Sequence, residues 1–234
     1  MSLITCKNLC VGYDGREVAH NLNFDVNPGD YLCIVGENGS GKTTLMKTLL
    51  GLNRPVYGNI YLGDGLKKSE IGYLPQQTLV QRDFPASVYE IVISGFCGSS
   101  GGRPFYSAYQ KQIALWNLKR MGIEHLKDRC YRELSGGQQQ RALLARALCA
   151  TGKLILMDEP VAGLDSKATA EMYEIIERLN REDNITVIMI SHDITAAIKY
   201  ATHILHIGKD IFFGKKEDYI NGPSFKNHFG GGEV

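Results

Sequence analysis

No stretch of this chain approaches the ~18 consecutive apolar residues that a membrane-spanning helix needs. The opening run, Met1-Ser2-Leu3-Ile4-Thr5-Cys6-Lys7, is broken by polar residues, so no secretory leader is expected there. A surplus of one charge sign is also missing. The 234 residues hold 26 Lys and Arg against 25 Asp and Glu, a formal net charge of +1. That balance argues against nucleic acid as a partner and against a polybasic membrane anchor. The six cysteines, at 6, 10, 33, 97, 130 and 149, form no C-x-x-C pair. In a chain of this length they read as reduced cysteines of the cytosol, not as a disulfide frame. No internal repeat and no long linker is visible. Apolar residues make up 44% and charged residues 22%, which is enough apolar material for a core and excludes wholesale disorder.

The first third reads as short strands. Ile4 to Val11 and Val18 to Val26 flank a turn signal at Asp14-Gly15, and Pro28-Gly29 is a second turn. Tyr31 to Val35 predicts a buried strand, Thr43 to Leu50 a helix closed by Gly51, and Ile71 to Leu74 another strand. The glycine- and serine-rich stretch 95–104 reads as a loop. Ser107 with Gln110, and Ser135 with Gln138, carry capping-box spacing and predict two helices, the first closed by Gly122 and the second running to about Ala150. Tyr109, Ile113 and Trp116 recur at helical spacing and are expected in the core. The last third alternates: strands at Leu154–Met157, Ile185–Ile190 and His203–Ile207, helices at Lys167–Leu179 and Ile194–Tyr200. Strand and helix in alternation imply a parallel sheet with crossover helices. His203 and His206 would point to opposite faces of a strand, so no metal pair is expected. The charges from Glu177 to Asp183 read as a solvated helix end.

Gly36-Glu37-Asn38-Gly39-Ser40-Gly41-Lys42-Thr43 fits the phosphate-loop pattern G-x-x-x-x-G-K-[ST], between an apolar strand and a helix. The glycines let backbone N–H groups surround a polyphosphate, and the helix adds its positive end. Lys42 supplies a point charge for the β- and γ-phosphates, and the Thr43 hydroxyl suits Mg²⁺. Lys153 to Pro160 is an apolar strand ending in Asp158 and Glu159. A strand end puts Asp158 at the carboxyl edge of the sheet, where such folds bind ligands. Asp158 suits the Mg²⁺ hydration shell, and Glu159 can polarise an attacking water. Leu134-Ser135-Gly136-Gly137-Gln138 is a second glycine-bearing helix start, able to face an anion. One ATP does not need two such cradles in one chain, so Ser135 is expected to face the nucleotide of a second copy.

Gly36–Thr44, Leu134–Gln138 and Leu156–Glu159 resemble the ATP-binding subunits of ABC transporters, over nearly the whole chain. The resemblance implies an α/β fold: a P-loop ATPase core with a mostly parallel sheet, an N-terminal antiparallel β subdomain and an inserted helical subdomain. It implies one ABC ATPase domain, with 1–80 and 151–234 as the ATP-binding core and 81–150 as the helical signature part. It implies ATP with Mg²⁺, a homodimer that sandwiches ATP, and Thr44, Gly136, Gly137 and Gln138 among the nucleotide contacts. Gln76, in Gly72-Tyr73-Leu74-Pro75-Gln76, is similar to the family's Q-loop glutamine, which touches Mg²⁺ or water. His192 is similar to the switch histidine at the γ-phosphate, and Asp165 to the D-loop aspartate, although Ala-Gly precedes Leu164-Asp165 where the family more often has Ser-Ala. Tyr13 resembles the aromatic that stacks on adenine; core packing or plain exposure is the alternative.

The resemblance also implies separate membrane permease subunits, an extracytoplasmic binding protein in the same system, and a cytoplasmic, peripheral place on the inner face of the membrane. The insert 81–150 is too short for the long coiled coils of DNA-repair and chromosome members, and one ATPase unit does not match the paired units of translation members. Transport is therefore favoured over a soluble, non-transport role. Phe84 to Gly95 and Met121 to Arg129 resemble metal-ion importers for zinc or manganese, and iron-chelate and cobalamin importers have similar segments. The helical insert is expected to carry the docking groove for the permease, with Phe84, Phe105 and Tyr106 as candidate contacts; closing the insert's own core is the alternative for them.

Overall fold

A computed structural model of the chain describes residues 2–13, 16–76, 83–98, 105–223 and 225. The predicted turn at Asp14-Gly15 and the stretch 99–104 of the predicted loop lie outside the described residues. The chain divides into two compact units, Met1–Lys68 with Thr186–Val234, and Ser69–Ile185.

The first unit holds two sheets. Strands β1 (Ile4–Tyr13) and β2 (Arg16–Val26) form the predicted hairpin. A strand not anticipated from the sequence, β4 (Tyr57–Leu62), pairs with the other side of β1, giving the antiparallel order β2-β1-β4. Its outer residues alternate, with Tyr57, Asn59 and Tyr61 exposed, so it lacks the continuous apolar signal of a core strand. Strand β3 (Tyr31–Val35) is buried along its whole length between parallel partners β7 (Thr186–Ile190) and β8 (His203–His206). An uninterrupted apolar run is what a parallel strand covered on both faces requires. An antiparallel edge strand, β9 (Phe212–Lys215), closes on β8, and the short helix α7 (Lys216–Asn221) follows it. Helix α1 (Lys42–Leu49) follows β3, with Gly51 just past its end at φ 73°, as the sequence predicts. Helix α6 (Ile194–Tyr200) follows β7, capped by Asp193.

The second unit pairs β5 (Ile71–Leu74) in parallel with β6 (Leu154–Asp158). Among the described residues its helices are α2 (Val88–Ile93), α3 (Ala108–Arg120), α4 (Gly136–Ala150) and α5 (Ser166–Arg181). Both predicted capping boxes are formed: Ser107 with Gln110, and Ser135 with Gln138. A third, Ser87 with Glu90, starts α2, which the sequence reading did not resolve. Helices α2 and α3 pack on α4, whose buried face runs through Ala142, Leu144, Ala145 and Leu148. Gly95 lies against α4: a Cβ there would stand 2.1 Å from the Arg146 carbonyl oxygen.

The aromatic stripe on α3 is a correction. Tyr109 is 70% and Trp116 58% exposed, while Ala114, Asn117 and Leu118 face the core. The helical spacing was sound, but periodicity identifies a face without saying which face is covered. The charge run at the end of α5 is only partly solvated. Arg181 pairs with Glu177 one turn away, and Asp183 pairs with Arg120 of α3.

Candidate functional site

The phosphate loop takes the conformation that its glycines permit. Gly36, Gly39 and Gly41 have φ of 145°, 80° and 98°. Such values cost a side chain strain, and at Gly36 there is also no room: a Cβ would stand 2.0 Å from the Ile207 carbonyl oxygen. A Cβ on Gly39 would meet nothing, so the loop is open to solvent at that point. Glu37, Asn38 and Thr43 are exposed, Ser40 and Thr44 half-buried. Lys42 is 6% exposed, and its Nζ donates to the carbonyls of Gly36 (2.8 Å) and Glu37 (2.7 Å). The Ser40 hydroxyl is buried with no hydrogen-bond partner among the described residues. An orphaned donor and a buried ammonium, beside backbone that only glycine can adopt, fit a bound polyphosphate.

On the same unit, a cavity of about 290 Å³ is lined by Val35, Gly36, Glu37, Ser191, His192, Ile194 and His206. The predicted γ-phosphate histidine thus stands on a wall shared with the first residues of the phosphate loop. Ser191 Oγ accepts from the Asp193 amide (3.0 Å), which fixes the turn that presents His192. Tyr13, at the end of β1, is 66% exposed, so core packing does not hold for it.

The second unit carries the acids. Asp158 ends β6 at 2% exposure. Burial, and then the Asp158 charge, pushes the Tyr73 phenol of neighbouring β5 up to about 12. Glu159 takes the left-handed conformation, φ 50°, where a non-glycine residue is uncommon. Gln76 Nε2 donates to Glu159 Oε2 at 3.0 Å. The two predicted residues, distant in sequence, therefore meet, a contact that no motif spacing announced.

Ser135 caps α4. Its hydroxyl accepts from the Gln138 amide (3.3 Å), and Gln138 Oε1 accepts from the Ser135 amide (3.0 Å). Ser135 is exposed at the positive end of a long helix. Gly137 packs closely on the next helix: a Cβ there would stand 3.0 Å from Ala168 Cβ. Asp165 caps α5, its Oδ1 accepting from the Ala168 amide at 2.8 Å. The start of α5 thus packs beside the signature glycines. Among the described residues no cluster of three or more His, Cys, Asp and Glu could hold a metal ion. Mg²⁺ bound with a nucleotide does not need one, because it keeps waters and takes phosphate oxygens.

The sequence profile of the ABC transporter family matches residues 19–162. This chain belongs to that family. It is an ABC transporter ATP-binding subunit and an ATPase. The zinc uptake system ATP-binding protein ZurA of Listeria innocua is 34% identical over 225 residues, covering 93% of this chain and 87% of that one. The manganese transport system ATP-binding protein MntA of Synechocystis is 33% identical over 235 residues, covering 97% and 90%. A solved ABC transporter assigned to the metal-chelate type, in an inward-facing conformation, superposes with a TM-score of 0.85 at 32% identity, covering 93% of this chain and 85% of that one. The α/β fold read from the sequence, with its mostly parallel sheet and antiparallel N-terminal sheet, is that of these ATPases. No helix among the described residues is long and apolar enough to cross a membrane.

Two features of this ATPase went unread in the sequence. A cavity of about 320 Å³ in the second unit is lined by Pro75, Phe84, Ala86, Glu90, Ile91, Ser94, Tyr131, Leu143 and Arg146. Pro75, the residue before Gln76, forms part of its wall, and the capping-box spacing of Ser87 and Glu90 was the signal that could have revealed its helix. The other is His206, set aside as a strand histidine, which lines the phosphate-loop cavity.

Proposed function

We propose that this ATPase powers import of a divalent metal, zinc or manganese, through separate membrane subunits at the inner face of the cell membrane. The observation that carries the reading is the near full-length similarity to zinc and manganese transport ATPases. The likeness to a metal-chelate type transporter favours a second reading, a chelated metal such as an iron complex as cargo.

In this reading two copies meet head to tail over two nucleotides, and an extracytoplasmic binding protein delivers the cargo. Lys42 binds the β- and γ-phosphates, giving up its two carbonyl contacts for a charged acceptor. The amides of Gly36–Gly41 and Thr44 surround the phosphates, and Tyr13 stacks on adenine. Thr43, Gln76 and Asp158 would hold Mg²⁺, which neutralises charge on the phosphates. Glu159 accepts the proton of the attacking water, and Gln76 orients its carboxylate. His192 donates toward the γ-phosphate. Ser135, Gly136, Gly137 and Gln138 of the second copy close the site, with Asp165 at the seam.

The cargo is tested by elemental mass spectrometry of cells grown in metal-poor medium with and without this subunit. Lower zinc or manganese in its absence supports the reading. Equal content of both, with reduced uptake of a chelated iron, moves the assignment to the second reading.

The permease would dock at the 320 Å³ cavity lined by Pro75 and Phe84. Phe84, 54% exposed on its rim, is the side chain for an apolar anchor. Phe105 and Tyr106 lie outside the cavity lining. We expect Phe84→Ala to keep its melting temperature and basal hydrolysis and to lose metal uptake severalfold. A fall in melting temperature with uptake intact would return Phe84 to a packing role.

A further inference from the structure

His206 closes β8 opposite Val35 of β3, and it is 1% exposed. The backbone there grips the start of the phosphate loop. The Ile207 amide donates to the Val35 carbonyl (2.9 Å), and the Ile207 carbonyl packs on Gly36 so closely that no Cβ fits. His206 is one of the residues lining the cavity that Gly36, Glu37 and His192 share.

Its partner comes from the C-terminal helix. His206 Nδ1 and the Tyr219 hydroxyl of α7 lie 2.8 Å apart. Tyr219 is fully buried, against Phe212 (ring centroids 5.3 Å) and Phe225 (5.7 Å). Among the described residues His206 is the one hydrogen-bond partner of that hydroxyl. A buried O–H without an acceptor costs about 1–3 kcal/mol, so the hydroxyl donates to Nδ1. Burial, and then Cys33, pushes the phenol up to about 12, which keeps the proton on Tyr219 near neutral pH. An Nδ1 that accepts carries no proton, so the neutral ring bears its proton on Nε2.

We propose that His206 is a positioning residue for ATP hydrolysis. Tyr219 locks it as the Nε2–H tautomer, and in that form it holds the cavity wall shared by the phosphate loop and His192. The C-terminal helix α7 thereby sets the rate of hydrolysis more than the affinity for ATP. The inference rests on the assignment of the phosphate loop and His192 to the ATP site.

The test combines a spectrum with kinetics on the full chain. Long-range ¹⁵N–¹H correlation of labelled histidine should show His206 as the Nε2–H tautomer, and Tyr219→Phe should populate the Nδ1–H form. Tyr219→Phe removes one oxygen and should lower kcat roughly tenfold with KM for ATP within about twofold, as misplacement within a site does. His206→Gln, which keeps an amide N–H, should retain more kcat than His206→Ala. A wild-type Nδ1–H ring or imidazolium overturns the proposal. So do variants that melt earlier but keep kcat. If Tyr219→Phe does not fold, the wild-type spectrum and the two His206 variants decide. Failure of the wild type to bind ATP, with the Nε2–H tautomer present, overturns the site assignment and this inference with it; unchanged kcat in a protein that binds ATP overturns this inference alone.

Discussion

Glu159→Gln is expected to bind ATP like the parent, to hydrolyse it ~10²–10⁴-fold more slowly, and to become an ATP-dependent dimer. Glutamine is nearly isosteric with glutamate, and its amide oxygen can still accept from Gln76 Nε2, so the left-handed turn at 159 keeps its support. What is lost is the ability to take a proton from water. Binding survives because Lys42, Thr43 and Asp158 are untouched. If Ser135 of a second copy faces the γ-phosphate, unhydrolysed ATP holds two chains together, whereas the parent cycles and stays mainly monomeric. Ser135→Arg added to Glu159→Gln should abolish the dimer. Ser135 is exposed at the first turn of α4, where bulk and positive charge would face the partner's loop. Size-exclusion chromatography with light scattering, with and without ATP and Mg²⁺, reads the result. A Glu159→Gln chain that binds ATP and elutes as a monomer at every concentration would remove the two-chain site.

Lys42→Ala should weaken ATP binding and remove most hydrolysis. In the proposed site Lys42 is the main positive charge facing the phosphates, and hydrogen bonds to charged partners contribute about 1.5–3 kcal/mol each, against about 1 for neutral ones. The structure adds a second consequence. The Lys42 ammonium also bridges the Gly36 and Glu37 carbonyls, so alanine removes a donor from each, while the Glu37 carbonyl keeps the Ser40 amide at 3.3 Å. A loss of about 1–3 kcal/mol in stability is expected without any nucleotide present. Calorimetric ATP titration and thermal melts read the two effects separately. Unchanged affinity together with unchanged turnover would sink the assignment of the loop.

Much of the site was legible because its signals are local. The phosphate loop needs glycine at positive φ within a few residues, and Gly36, Gly39 and Gly41 adopt it. Ser107 and Ser135 cap helices through bonds to amides only three residues on, so their spacing alone carries the geometry. Buried parallel strands announce themselves as apolar runs, and β3, β6 and β7 did. Strand β4 did not, because only one of its faces is covered.

Family membership and the α/β fold were determined by the sequence alone, since the phosphate loop and the helix caps work through backbone within a single turn. Tertiary structure decided what those motifs touch. Gln76 meets Glu159 across 83 positions, and His206 meets Tyr219 across a strand and a turn. Tyr109 and Trp116 face outward, while Ala114 and Leu118 are buried on the helix that packs on α4. Such pairings depend on which elements lie side by side, and neither periodicity nor spacing along one chain records that.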